Sequence, residues 1–311
     1  MADADTIRSK FKRFRILVIG RANAGKTTIL QKVCGTTDHP EIYDSKGNKI
    51  DVAVLQPSRE RGYHNIENEM VFDANPGFIF HDSRGFEAGG VDEFDSMKEF
   101  ISKREKSTEF NERIHVIWYC LSLDEISRPI SRAEEKFFKE CDPGSIPVIL
   151  VLTKVDAVRA IALGQVDKSL GSKRREAAMQ LVPSIVDGAN IWGRLCKMQY
   201  PPRAEVRLQD LHKGGDCSIL LEHTSNALDD IVLKQLFVST QQIHIELCIA
   251  NATRHALLSS IRTILSVRDE KPVLHELQME AALWFPITKE VCLCVFSLAK
   301  MILIIRYLCL R

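Results

Sequence analysis

Four consecutive aliphatic residues, Ile16 to Ile19, run directly into Gly20-Arg21-Ala22-Asn23-Ala24-Gly25-Lys26-Thr27-Thr28, and a helical pattern from Ile29 to Val33 follows before Gly35. No other stretch constrains the fold as much. A buried strand, a glycine-spaced loop and a helix in immediate succession are the context that makes GxxxxGKT a phosphate-binding loop. Gly20 and Gly25 let the backbone curl so that successive N–H groups converge on phosphate oxygens, and the helix N-terminus adds partial positive charge. Lys26 is expected to reach the β- and γ-phosphates, and the Thr27 hydroxyl to ligate Mg2+. The expectation is a nucleoside triphosphate site formed by Gly20 to Thr28, with Lys26 and Thr27 as its catalytic residues.

Two further segments agree with that start. Gly77 to His81 is a short apolar run ending in Asp82-Ser83-Arg84-Gly85. A strand that delivers a carboxylate at its C-terminal tip supplies what Mg2+ coordination through water needs. Gly85 would offer its backbone N–H to the γ-phosphate. His81 is a second candidate for chemistry, although a strand-end histidine is more often structural. Pro147 to Leu152 is another buried run, ending in Thr153-Lys154-Val155-Asp156. Asp156 would accept hydrogen bonds from the guanine N1–H and exocyclic amine, a donor pair adenine lacks. The Lys154 stem would lie over the base, and Thr153 in place of Asn removes one hydrogen bond to the loop.

Together Gly20 to Thr27, Asp82 to Gly85 and Thr153 to Asp156 resemble the Ras-like, Era-type P-loop GTPase domain. Gly77 to Glu87 is similar in wording to a group of fungal G-domain-containing proteins. The resemblance covers Phe14 to Thr240. It implies GTP and GDP as ligands, Mg2+ as cofactor and an α/β fold with a doubly wound, mostly parallel sheet. It departs from the family in two places. The first switch has no clear Mg2+-capping Thr; Thr36, Thr37 and Ser58 are the candidates, with Ser58 favoured. Phe86 stands where many relatives carry a water-orienting Gln, so hydrolysis is expected to be slow. The functional expectation is a Mg2+-dependent GTPase acting as a molecular switch, or alternatively a GTP-binding switch or scaffold with negligible turnover. A small-molecule kinase is disfavoured by the guanine-type Thr153 to Asp156 motif.

The remaining sequence is less specific. Val91 to Ser102 is amphipathic, Ile114 to Leu121 reads as a fully buried strand, and Ser131 should cap a helix through Phe138. The polar stretch between Gly35 and Asn75 alternates weakly in Ile66, Met70 and Phe72, which reads as an edge strand. Lys173 to Val182 should be a helix stopped by Pro183. The last strand has two candidates, Ala204 to Leu208 followed by Gln209-Asp210-Leu211, and Cys217 to Leu221 followed by His223 to Asn226. The second is preferred, which assigns Ser225 and Asn226 to the base.

The domain organisation expected is a polar tail, 1–13, a G domain, 14–240, and a helical extension, 241–311. A net charge of +1 gives no electrostatic case for nucleic acid. The nine cysteines are scattered and no secretory signal precedes them, so a cytoplasmic location is expected. The stretch 291–310 is apolar apart from residues such as Lys300 and Arg306, and it has the length for a span. Membrane association through it stays open, as do protein partners at the switches and a homodimer.

Overall fold

The computed structural model describes residues 13–50, 65–83 and 91–240. Ser58, Gly85, Phe86 and the stretch 291–310 lie outside them. The chain divides into two compact units, one of residues 13–229 and one of 1–12 with 230–311.

The first unit is an α/β fold. Its strands are β1 (Phe14–Gly20), β2 (Glu41–Tyr43), β3 (Lys49–Ile50), β4 (Glu69–Phe72), β5 (Asn75–Asp82), β6 (Val116–Ser122), β7 (Val148–Thr153) and β8 (Ala204–Arg207). They form one sheet in the order β3-β2-β4-β5-β1-β6-β7-β8. From β5 to β8 all pairings are parallel, whereas β4 pairs antiparallel with β5 and β2, and β2 with β3. Every residue of β1, β6 and β7 is buried, as strands covered on both faces must be. Sequence order reverses at β1, which has β5 on one side and β6 on the other. In open α/β sheets the crevice at such a reversal, beyond the C-terminal strand ends, is where ligands bind.

The helices of this unit are α1 (Lys26–Cys34), α2 (Val91–Glu105), α3 (Arg132–Glu140), α4 (Val158–Gln165), α5 (Arg174–Gly188), α6 (Ile191–Leu195) and α7 (Ser218–Ala227). Residues of α2 to α6 share one core with Leu17, Ile19, Ile117, Tyr119, Leu150 and Leu152. The alternate residues of the same strands point to the opposite face. There Trp118 donates from Nε1 to Thr224 Oγ1 of α7 at 3.0 Å. The sheet is therefore wound on both faces. In the second unit the described element is α8 (Ile231–Thr240), opened by the Asp230 carboxylate, which accepts from Val232 N–H at 2.7 Å.

Four expectations from sequence are corrected. The last strand is β8, not Cys217 to Leu221, because Cys217, Leu220, Leu221, Thr224 and Ser225 are buried at helical spacing and Ile219 is exposed. Glu69–Phe72 is an inner strand, since β2 and β3 extend the sheet beyond it. Pro183 lies inside α5 and does not stop it. Its ring faces solvent, and the carbonyl it deprives of a donor belongs to exposed Met179, where water can replace the bond. Finally, the expected location, cytoplasmic with membrane association through 291–310 left open, is corrected to a narrower statement: among the described residues, which do not include 291–310, no helix is long and apolar enough to cross a membrane.

Candidate nucleotide-binding site

The candidate phosphate loop starts where β1 ends against β6. Gly20 has φ of +152°, and a Cβ there would lie 2.3 Å from the Cys120 carbonyl oxygen, so only glycine fits. Asn23 and Gly25 take positive φ, 58° and 81°, and the chain enters α1 at Lys26. Ala22, Asn23 and Thr27 are exposed at the mouth, Arg21 and Thr28 are half-buried, and Ala24 is buried. Gly35, at φ 64°, closes α1 and donates to Lys32 O. The Lys26 ammonium is folded back over the loop, donating to Gly20 O at 2.9 Å and Arg21 O at 3.1 Å.

Asp82 is the last residue of β5, beside β1. Its Oδ1 lies 3.8 Å from Lys26 Nζ. That oxygen is buried with no hydrogen-bond partner, although the side chain as a whole is 28% exposed. Burial raises the carboxyl to about 6, against the pull of the nearby Lys26 charge. A buried oxygen that lacks a donor is costly unless something else satisfies it. A divalent cation approached through water fits this need, with the exposed Thr27 hydroxyl at the same end of the sheet. Among the described residues there is no cluster of three or more His, Cys, Asp or Glu side chains able to hold a metal alone. Most of the ligands would therefore have to come from phosphate and water.

His81 takes no part in this site. As the neighbour of Asp82 on a strand it points to the other face. Its Nδ1 lies 2.9 Å from Ile66 O and its Nε2 3.2 Å from Arg15 Nη1. Arg15 can only donate, so Nδ1 carries the proton and Nε2 accepts. Burial, followed by the Arg15 charge, lowers the imidazole to about 3, so it is neutral. The buried thiols Cys34, Cys120, Cys141 and Cys217 are pushed up to about 12 by burial, which leaves no thiolate among them at neutral pH.

The segment after β7 sits beside the loop. Thr153 Oγ1 donates to Ala24 O at 2.8 Å, and both residues are buried. The expected loss of a bond to the loop is thus made good by the hydroxyl. Lys154 adopts φ 53° and donates from Nζ to Asp124 Oδ2 at 2.7 Å. Both partners are exposed, so this pair adds little stability. Asp156 Oδ1 accepts from Asp210 N–H at 2.9 Å. Asp210 itself has φ 52° and is gripped by Arg159, whose Nη1 donates to Asp210 Oδ1 at 2.9 Å. The Val155 and Leu208 backbones also join, N–H to O, at 3.2 Å. The structure therefore brings Gln209-Asp210-Leu211, not Ser225 and Asn226, to Asp156.

Ser225 is fully buried in α7, and Asn226 is exposed on the same helix. Neither belongs to a loop beside the base motif. Sequence reasoning also passed over Glu134, which grips Arg21 of the phosphate loop. The spacing Ser131-x-x-Glu134 signals a helix start, and Glu134 does complete that capping box. Nothing local reveals its second partner, 113 residues away.

No family model and no curated protein matches this chain. Solved structures similar to it include a septin GTPase domain from Chlamydomonas reinhardtii, 14% identical, covering 51% of this chain and 61% of that one with a TM-score of 0.28. Two mutation variants of SsGBP are each 12% identical, with TM-scores of 0.32 and 0.34. They cover 72% and 74% of this chain and 57% and 58% of their own. The chain thus spans less than two thirds of each neighbour's length. None of these likenesses carries an argument about activity.

Proposed function

We propose that this chain is a Mg2+-dependent guanine-nucleotide-binding protein that hydrolyses GTP slowly and acts as a switch. One observation carries the reading. The Gly20 to Thr28 loop, Asp82 and the Thr153 to Asp156 segment all lie at the C-terminal ends of parallel strands β1, β5 and β7, around the reversal of sheet order. The phosphates would lie in the loop against its N–H groups and Lys26, and Asp156 would read the base with the Gln209 to Leu211 turn beside it. Thr27, and Asp82 through water, would hold Mg2+, which when bound neutralises phosphate charge.

Catalysis in such a site consists of holding the transferring group and absorbing its charge. Lys26 supplies a cation held by two loop carbonyls, and Asp82 an oxygen with no donor of its own. His81 faces away, with both ring nitrogens engaged by Ile66 and Arg15, so it does not activate a water. This supports slow turnover, on the order of 10⁻³ s⁻¹ or less, near unassisted rates for such domains. Partners would then act by completing the site.

The test is binding of labelled GDP and GTP with ATP as competitor, followed by single-turnover hydrolysis. Preference for guanine with slow turnover supports the proposal. Equal affinity for ATP, or a rate near 1 s⁻¹ that dilution leaves unchanged, contradicts it. Guanine binding with no measurable turnover would favour the scaffold reading.

A further inference from the structure

Arg21 follows Gly20 in the phosphate loop, and its carbonyl and side chain have separate tasks. The carbonyl accepts from Lys26 Nζ at 3.1 Å and from Ala24 N–H at 3.3 Å. The guanidinium turns away to α3. Its Nε donates to Glu134 Oε1 at 2.8 Å and its Nη2 to Glu134 Oε2 at 3.0 Å, with Pro129 O 3.4 Å from Nη2. Two parallel bonds between a planar fork and a carboxylate fix orientation as well as distance.

Glu134 is itself held. It is 2% exposed, and its Oε2 accepts from Ser131 N–H at 2.5 Å in the capping box that opens α3. Burial disfavours its charge, but the hydrogen bonds from Arg21 and Ser131 outweigh that and keep it ionised. If Arg21 left to meet a phosphate, a buried carboxylate would lose its cation. Arg21 therefore serves the loop through its backbone.

We infer that Glu134 is a positioning residue: by fixing Arg21 it sets the carbonyl against which Lys26 is held, and so ties the start of α3 to the phosphate end of the site. The inference rests on the nucleotide reading above, and its test has one arm that does not. Full-length Glu134→Ala, Arg21→Ala and the apolar pair Arg21→Met with Glu134→Leu are compared with the wild type. Three quantities are measured: melting temperature, affinity for labelled GDP and GTP, and amide exchange at Ala24 in the nucleotide-free protein.

Each single change is expected to lower GTP and GDP affinity at least about tenfold, because small misplacements in such sites are costly. Ala24 exchange should quicken relative to the β1 amides, since its acceptor is the Arg21 carbonyl. The apolar pair should regain the melting temperature, as buried ion pairs can be replaced without loss, but neither the affinity nor the exchange protection. If the apolar pair regains all three, the ion pair is only structural and the inference falls. It falls too if Arg21→Ala loses affinity while Glu134→Ala keeps it, since Arg21 would then touch the ligand directly. Should the wild type bind no nucleotide, the proposed function fails, and Ala24 exchange alone decides the inference.

Discussion

Acidification of the nucleotide-free protein from pH 7 to pH 5 is expected to destabilise the first unit by an amount that follows from three buried groups. His81 is lowered from 6.5 to about 3 by burial and the Arg15 charge, and His115 from 6.5 to about 4 by burial. His115 is fixed as His81 is: its Nδ1 accepts from Arg15 N–H at 3.0 Å, and its Nε2 lies 3.2 Å from Phe110 O. A histidine whose folded pKa is depressed binds its proton first in the unfolded chain, so stability falls as pH drops below 6.5. Each group contributes about 1.4 kcal/mol per pH unit in that window, or about 4 kcal/mol for both by pH 5. Asp82 acts in the opposite sense, because burial raises its folded pKa from 3.8 to about 6. The folded state takes up that proton first, which returns about 1.4 kcal/mol between pH 6 and 5. The net loss is about 3 kcal/mol, a large share of the 5–15 kcal/mol typical of a domain.

Urea unfolding followed by near-ultraviolet circular dichroism should show the midpoint falling by about 1–3 M over this range. Imidazole resonances of His81 and His115 should not titrate above pH 5. An unfolding free energy that is flat or rises on acidification, or either imidazole titrating near 6.5, would refute the reasoning.

Thr153→Val keeps the side-chain shape but strips the buried Ala24 carbonyl of its donor, so a loss of about 1–3 kcal/mol is expected from urea midpoints, with Thr153→Ser close to wild type. A Val variant as stable as wild type would remove the role given to that bond. Asp156→Asn should weaken GTP by roughly 2–5 kcal/mol and shift preference towards xanthosine nucleotides, measured by competition against labelled GDP. Retained guanine preference in that variant would show that another group reads the base. Thr27→Asn, or EDTA with the wild type, should weaken GTP more than GDP, because a metal held by Thr27 and Asp82 would neutralise γ-phosphate charge only in the triphosphate. An EDTA-insensitive GTP affinity would contradict the metal assignment.

What the sequence settled was local. Ile16 to Ile19 and Val148 to Leu152 are short apolar runs that read as strands because a motif signal follows each, and both are strands buried on both faces; the glycines between strand and helix dictate the loop at Gly20 to Gly25. Asp82 could be placed because it follows such a run directly, and Asp156 because it lies four residues beyond one. Short apolar stretches without a second signal misled. Cys217 to Leu221 suits a strand or a buried helix equally, and the choice depends on what covers it; Trp118 and the sheet face cover one side only, so it became α7. Pro183 likewise did not stop its helix, because the carbonyl it leaves without a donor belongs to exposed Met179. The contacts that shape the site join residues far apart in sequence: Thr153 to Ala24 across 129 positions, Glu134 to Arg21 across 113, Asp156 to Asp210 across 54. Periodicity and capping patterns report on neighbours within a turn or a strand. A hydrogen bond between distant segments depends on strand order and register, which the whole sheet must choose at once.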